Sequence, residues 1–159
     1  MWMNDKQWSD HFIPQVTRIL QSNASKIISI EVAPPDADAE RATDMTIKVV
    51  GGNVAVRVRR DATRFRDLTI RSRRSSGRKT ELEKIREGFA DWYLYAWTIN
   101  GTISEWVLVD LGRVRESGLL DKPRKEIPNK DGTTFFVGIP IAELEQNSCI
   151  VSGCTKYGN

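Results

Sequence analysis

Cysteine, histidine and long apolar runs are scarce in this chain of 159 residues. Its two cysteines, Cys149 and Cys154, form a single C-x4-C pair near the C-terminus. One such pair does not close a four-ligand zinc site, and the lone His11 lies far away in sequence, so a zinc domain is not expected. Two reduced thiols are expected instead, one of them on a core strand. A single histidine with no serine or cysteine partner in view gives no basis for a nucleophilic triad. No segment reaches the ~20 apolar residues of a membrane span. The opening MWMNDKQWSDHF has no basic stretch followed by an apolar core, so no secretory leader is expected. These absences point to the cytoplasm, with no membrane partner.

What is present suits one globular domain. Apolar residues make up 40 % of the chain and charged ones 28 %, the balance of an ordinary soluble fold able to bury a core without staples. Charge is unevenly placed. From Arg57 to Arg86 there are twelve basic residues, ten of them arginine, against the four acids Asp61, Asp67, Glu81 and Glu83. That stretch carries +8 in a chain of net +3, so the remainder carries the difference, −5. A basic segment on a neutral-to-acidic body suits a polyphosphate ligand, because each cation near a phosphate releases condensed counterions. Arginine adds a planar fork that grips phosphate bidentately.

Periodicity gives the elements. Trp8, Phe12, Val16, Ile19 and Leu20 form one apolar stripe and predict a helix over residues 7–22, with Pro14 acceptable only in a first turn. KIISIEVA predicts a strand over 26–33, and a helical turn is expected through Asp38–Thr43. Strands are predicted over Asp44–Val50, Val54–Arg60 and Asp67–Arg73, with Gly51-Gly52-Asn53 as a hairpin signal, giving a three-stranded antiparallel meander. RRSSGRK is a basic loop. Thr80-x-x-Glu83 has the form of a capping box, and Leu82, Ile85, Phe89, Trp92, Tyr93 and Ala96 predict a long helix ending near Trp97. Its aromatics, Trp92, Tyr93, Tyr95 and Trp97, read either as core or as a stacking platform for bases. ISEWVLVDL predicts a strand over Ile103–Leu111, buried on both faces. A short helix or loop over Gly112–Lys125, a turn at Asn129–Gly132, a strand over Thr133–Ile139, a short helix over Pro140–Gln146 and a last strand near Cys149–Ser152 complete the chain. The expected class is α/β (α+β): a central mixed sheet with an antiparallel meander, flanked by helices.

This order, with Asp44 ahead of the Gly51-Gly52 hairpin and the strand VAVRVRR, resembles the core of the PD-(D/E)XK, or restriction-endonuclease-like, proteins over about Trp8 to Leu111. The segments RATDM, VAVRVRR, DLTIRSRR, TELEKIREGFADWYLY and DGTTFFVGIPIAEL resemble small phage or prophage proteins of nuclease-like type. The resemblance implies one domain with its core at about 8–111 and a β-rich extension at 112–159. It implies that Asp44 stands at the first acid, where two carboxylates would hold Mg2+ to activate water and stabilise charge on phosphorus. Arg57 and Arg59 stand where the second acid and the lysine belong. Arginine cannot ligate a cation. Further acid would then come from Asp67, Glu81 or Glu31.

The candidate catalytic residues are therefore Asp44, Asp67, Glu81 and Lys84, with Asp44 and Asp67 as metal ligands. The candidate nucleic-acid contacts are Arg57, Arg59, Arg60, Arg71, Arg73, Arg74, Arg78 and Lys79. Asp44, Arg57, Arg59, Asp67 and Arg71 share one parity in their strands, which gives either a phosphate pocket or a solvated face of cross-strand ion pairs. RRSSGRK running into a helix start is either an anion site or a solvated loop. The expected function is binding of nucleic acid, DNA before RNA, by a diverged Mg2+-dependent nuclease or an inactive relative. The alternative is a phage accessory or anti-defence protein that binds a host protein or a nucleotide through the same basic face.

Overall fold

Thr80 starts a helix as its spacing predicts. Its hydroxyl accepts from the Glu83 amide at 3.2 Å, and the Glu83 carboxylate accepts from the Thr80 amide at 3.3 Å. The helix stops after Arg86, and Gly88 follows in the left-handed region at φ +82°. What was expected to be its second half is a strand. The computed structural model describes residues 5–32, 47–60 and 66–154.

The described elements, in order, are α1 (Asp5–Asp10), α2 (Ile13–Ser22), α3 (Ala24–Ile27), β1 (Ile28–Val32), β2 (Ile47–Gly51), β3 (Val54–Arg59), β4 (Asp67–Arg74), α4 (Glu81–Arg86), β5 (Trp92–Ile99), β6 (Thr102–Asp110), α5 (Leu111–Ser117), β7 (Ile127–Pro128), β8 (Thr134–Pro140), α6 (Ile141–Gln146) and β9 (Ile150–Cys154). They make an α+β protein. A four-stranded mixed sheet runs β3-β5-β6-β9, with β3 parallel to β5 and the other pairs antiparallel. A second, antiparallel sheet runs β4-β8-β7, and β1 pairs with β2 as a ribbon.

The main core lies between the two larger sheets. Tyr93, Tyr95, Trp97, Val107 and Val109 come from one, and Leu68, Ile70, Val137 and Ile139 from the other. Ile85, Leu111, Val114 and Leu144 close it from the helices. Leu94, Ala96 and Leu108 alternate with that set and are buried on the opposite face of the mixed sheet. The N-terminal helices lie against that side: Gln15 accepts from the Ile103 amide at 2.9 Å, and the His11 ring nitrogen meets the Gly101 carbonyl at 3.3 Å. Cys149 is buried beside β9, and Cys154 is exposed; both are free thiols. Among the described residues no helix is long and apolar enough to cross a membrane.

Three expectations about elements are corrected. The helix expected over 7–22 is two helices, because Pro14 falls in the first turn of α2 and the chain turns at His11-Phe12 before it. The run WYLYAW is strand rather than helix. Six consecutive residues from Tyr93 to Thr98 are buried on both sides, which a central strand permits and a one-faced helical stripe does not. Phe89, counted in the stripe, is 45 % exposed.

The expected meander does not form. β2 pairs with β1, β3 with β5, and β4 with β8. Gly51-Gly52-Asn53 does not turn a hairpin; it pins the chain to the start of β5. The Asn53 amide donates to the Asp91 carboxylate at 2.9 Å, and its carbonyl accepts from the amides of Asp91 and Trp92 at 3.0 and 3.1 Å. A Cβ at Gly52 would stand 2.8 Å from the Trp92 indole nitrogen, so glycine is needed there for close approach. The expected turn at Asp38–Thr43 lies outside the described residues.

Candidate functional site

β3 is the end strand of its sheet among the described residues, and the parity of its residues sorts them. Val56 and Val58 pair with Leu94 and Ala96 and face α2. Arg57 and Arg59 point the other way, toward β4 in the second sheet. Arg57 donates to the Thr69 carbonyl at 3.3 Å and to the Glu81 carboxylate at 2.5 Å. Arg59 donates to the Thr69 hydroxyl at 2.7 Å and to the Tyr95 hydroxyl at 3.2 Å, and lies 4.0 Å from Asp67. The Thr69 amide donates to Tyr95 at 3.4 Å. Thr69 thus turns its free backbone edge to side chains of the mixed sheet, and both arginines act as bridges between sheets. Unsatisfied, those backbone groups would be a sizeable penalty at a residue only 7 % exposed.

The bridges leave a groove outside them. It has a volume of about 570 Å3 and runs between α1–α2 and β3. Its lining is apolar at Ile13 and Val16 of α2 and Val56 and Val58 of β3, polar at Ser9, Asp10 and Thr17, and cationic at Arg57, Arg59 and Arg71. Arg71 is exposed and, among the described residues, has no hydrogen-bond or ion-pair partner. Three arginines from strands of two different sheets meet here.

The other expected cations disperse. The Arg60 guanidinium lies 4.4 Å above the Trp8 ring. Arg73 pairs with Glu126 at 3.1 Å and covers Phe135 at 3.9 Å. β4 carries a register shift between Arg71 and Arg73, and Arg73 is not among the residues that line the groove. Arg74 is half-buried, Arg78 and Lys84 are exposed, and Lys79 is held 2.8 Å from Glu87, which raises its pKa. Arg66 goes inward to the buried Glu105 at 2.6 Å, beside Trp97. The RRSSGRK loop meets a helix whose first turn already carries Glu81 and Glu83 and whose capping box occupies its leading amides. That arrangement is unfavourable to an added anion.

Asp44 lies outside the described residues, and the side chain of Glu31 is not among those described. The two described candidate acids do not fit a Mg2+ site. Glu81 spends one oxygen on Arg57 and the other on the Tyr93 hydroxyl at 2.8 Å. Asp67 faces Arg59 and presses on Gly138, where a Cβ would collide with its carboxylate. A cation there would sit among guanidinium groups. Among the described residues no three His, Cys, Asp or Glu side chains cluster as ligands.

Tyr93 is almost fully buried. Burial pushes its hydroxyl well above the ordinary 10.0; Arg57 opposes that and Glu81 reinforces it. Sequence reading named Tyr93 and Tyr95, as core or as a stacking platform, but set them on a helix; it missed Thr69 and the α2 wall. The signal for a strand was present: Tyr93, Tyr95 and Trp97 recur at period two, as strand residues on one face do. No family model, curated protein or solved structure matches the chain.

Proposed function

We propose that this protein binds nucleic acid, DNA in the first instance, through the arginine-lined groove beside β3, and that it does so without cutting the chain it holds. The observation that carries the reading is the meeting of Arg57, Arg59 and Arg71 in one groove, with Arg71 uncompensated. Arg57 and Arg59 are fixed in place by their bonds to Thr69, so they present a preset positive rim, and Arg71 supplies a free fork for phosphate. The meander that carried the likeness to PD-(D/E)XK proteins does not form, so the reading rests on the groove and not on that likeness. Glu81 held by Arg57 and Asp67 facing Arg59 favour binding without hydrolysis.

The test is fluorescence anisotropy with labelled DNA and RNA across a salt series, beside a cleavage assay in Mg2+ and Mn2+. Each phosphate contact contributes about 0.7–0.9 to the slope of log K against log salt. Arg71→Ala is expected to lower that slope by about one contact and weaken binding similarly on every sequence. Cleavage in metal, or affinity indifferent to salt, would overturn the reading.

A further inference from the structure

We infer that the groove holds a single strand with one base turned out of its stack and laid on the apolar wall, while the adjoining phosphate sits on Arg71. This rests on the nucleic-acid reading above and deepens it. The wall is the reason. Among the described residues five large hydrophobics are exposed, and two of them, Ile13 at 57 % and Val56 at 45 %, line this groove. Phosphate contact alone gives them nothing to pack on. A nucleobase offers a flat, weakly hydrated face of suitable size. The volume of about 570 Å3 lies within the ~300–1,000 Å3 of small-ligand sites. A duplex, with its bases stacked inside, would offer such a groove only its backbone.

The charge is arranged to match. Arg71 of β4 and the bridged Arg59 of β3 line the groove together with the apolar residues. A nucleotide in the groove meets guanidinium with its phosphate and aliphatic carbon with its base. Aliphatic side chains read the face of a base and not its edge, so the preference among bases is weak.

The experiment uses the full chain and three probes of equal length and charge per strand: a labelled mixed-sequence single strand, the same strand with a central run of abasic sites, and the corresponding duplex. The intact single strand is expected to bind about tenfold more tightly than the abasic one, and also more tightly than the duplex. Val56→Ser, at a side chain 45 % exposed and with an unchanged melting temperature as its control for folding, is expected to erase the difference between intact and abasic strands while leaving the salt slope unchanged. Arg71→Ala is expected to do the reverse. Equal binding of intact and abasic strands by the natural chain would sink the inserted base and leave the phosphate-binding reading standing. Discrimination that survives Val56→Ser places the base elsewhere and sinks it too. Failure of all three probes to bind at low salt removes both readings.

Discussion

Arg57 ends on a carbonyl of β4 and a carboxylate of α4, and Arg59 ends on two hydroxyls. At this scale the polar bridges, more than the surface charges, set stability. Tyr95 is fully buried, and its hydroxyl serves both Thr69 and Arg59. Tyr95→Phe leaves the Thr69 amide unsatisfied and is expected to cost about 1–3 kcal/mol, read as a lower urea midpoint at unchanged slope. Tyr93 makes stability depend on alkaline pH. Its folded pKa is raised, so the proton is held more tightly in the native state. The contribution is fully present below the unfolded value of 10.0 and is lost above it, by about 1.4 kcal/mol per pH unit. Denaturation series between pH 9 and 11 should show that fall in the natural chain and a flatter profile in Tyr93→Phe. Of these groups, sequence reading singled out Arg57, Arg59, Asp67 and Glu81. Cross-strand ion pairs on this face were one of its two readings, and Asp67 beside Arg59 agrees with it. It did not foresee that Glu81 answers Arg57, because residues 24 apart in sequence meet only through tertiary packing.

α4 and β5 show how one segment divides. The first turn has everything a helix start needs, and the structure keeps it. Thr80→Ala removes one half of the capping box and is expected to destabilise the protein by about 1 kcal/mol, measured by thermal melting. Beyond Gly88 the same residues satisfy either period: Phe89, Trp92, Tyr93 and Ala96 form a helical stripe, whereas Tyr93, Tyr95 and Trp97 form one face of a strand. Local pattern alone does not choose between these. The neighbours choose, because β3 and β6 supply hydrogen bonds on both edges. A synthetic peptide of residues 80–97, freed from those neighbours, is expected to gain helix in trifluoroethanol through its whole length by circular dichroism; strand or coil after Phe89 would show that the preference is local after all.

Across the whole molecule, both larger sheets contribute to one apolar interior, so they should unfold together. Far-ultraviolet dichroism and tryptophan fluorescence, the latter including the buried Trp97, are expected to trace one coincident urea transition. Separate midpoints would mean that the β4-β8-β7 sheet melts by itself. The cations behave differently at this scale from what their density in sequence suggests. Among the described residues of the +8 stretch, the cations go to internal bridges, an aromatic cover and scattered surface pairs, and three guanidinium groups meet in a short groove.

The amino-acid order by itself determined the α+β class, the start of α4 and the strands β3, β4, β6 and β8. These depend on side-chain period, turn chemistry and capping, which act over a few residues. Only the tertiary structure decided that β3 lies beside β5 and not beside β2, that WYLYAW is a central strand, and that Glu81 is held by Arg57. Each of those depends on a partner distant in the chain, and a strand's hydrogen-bonding edge carries no mark of which partner will fill it.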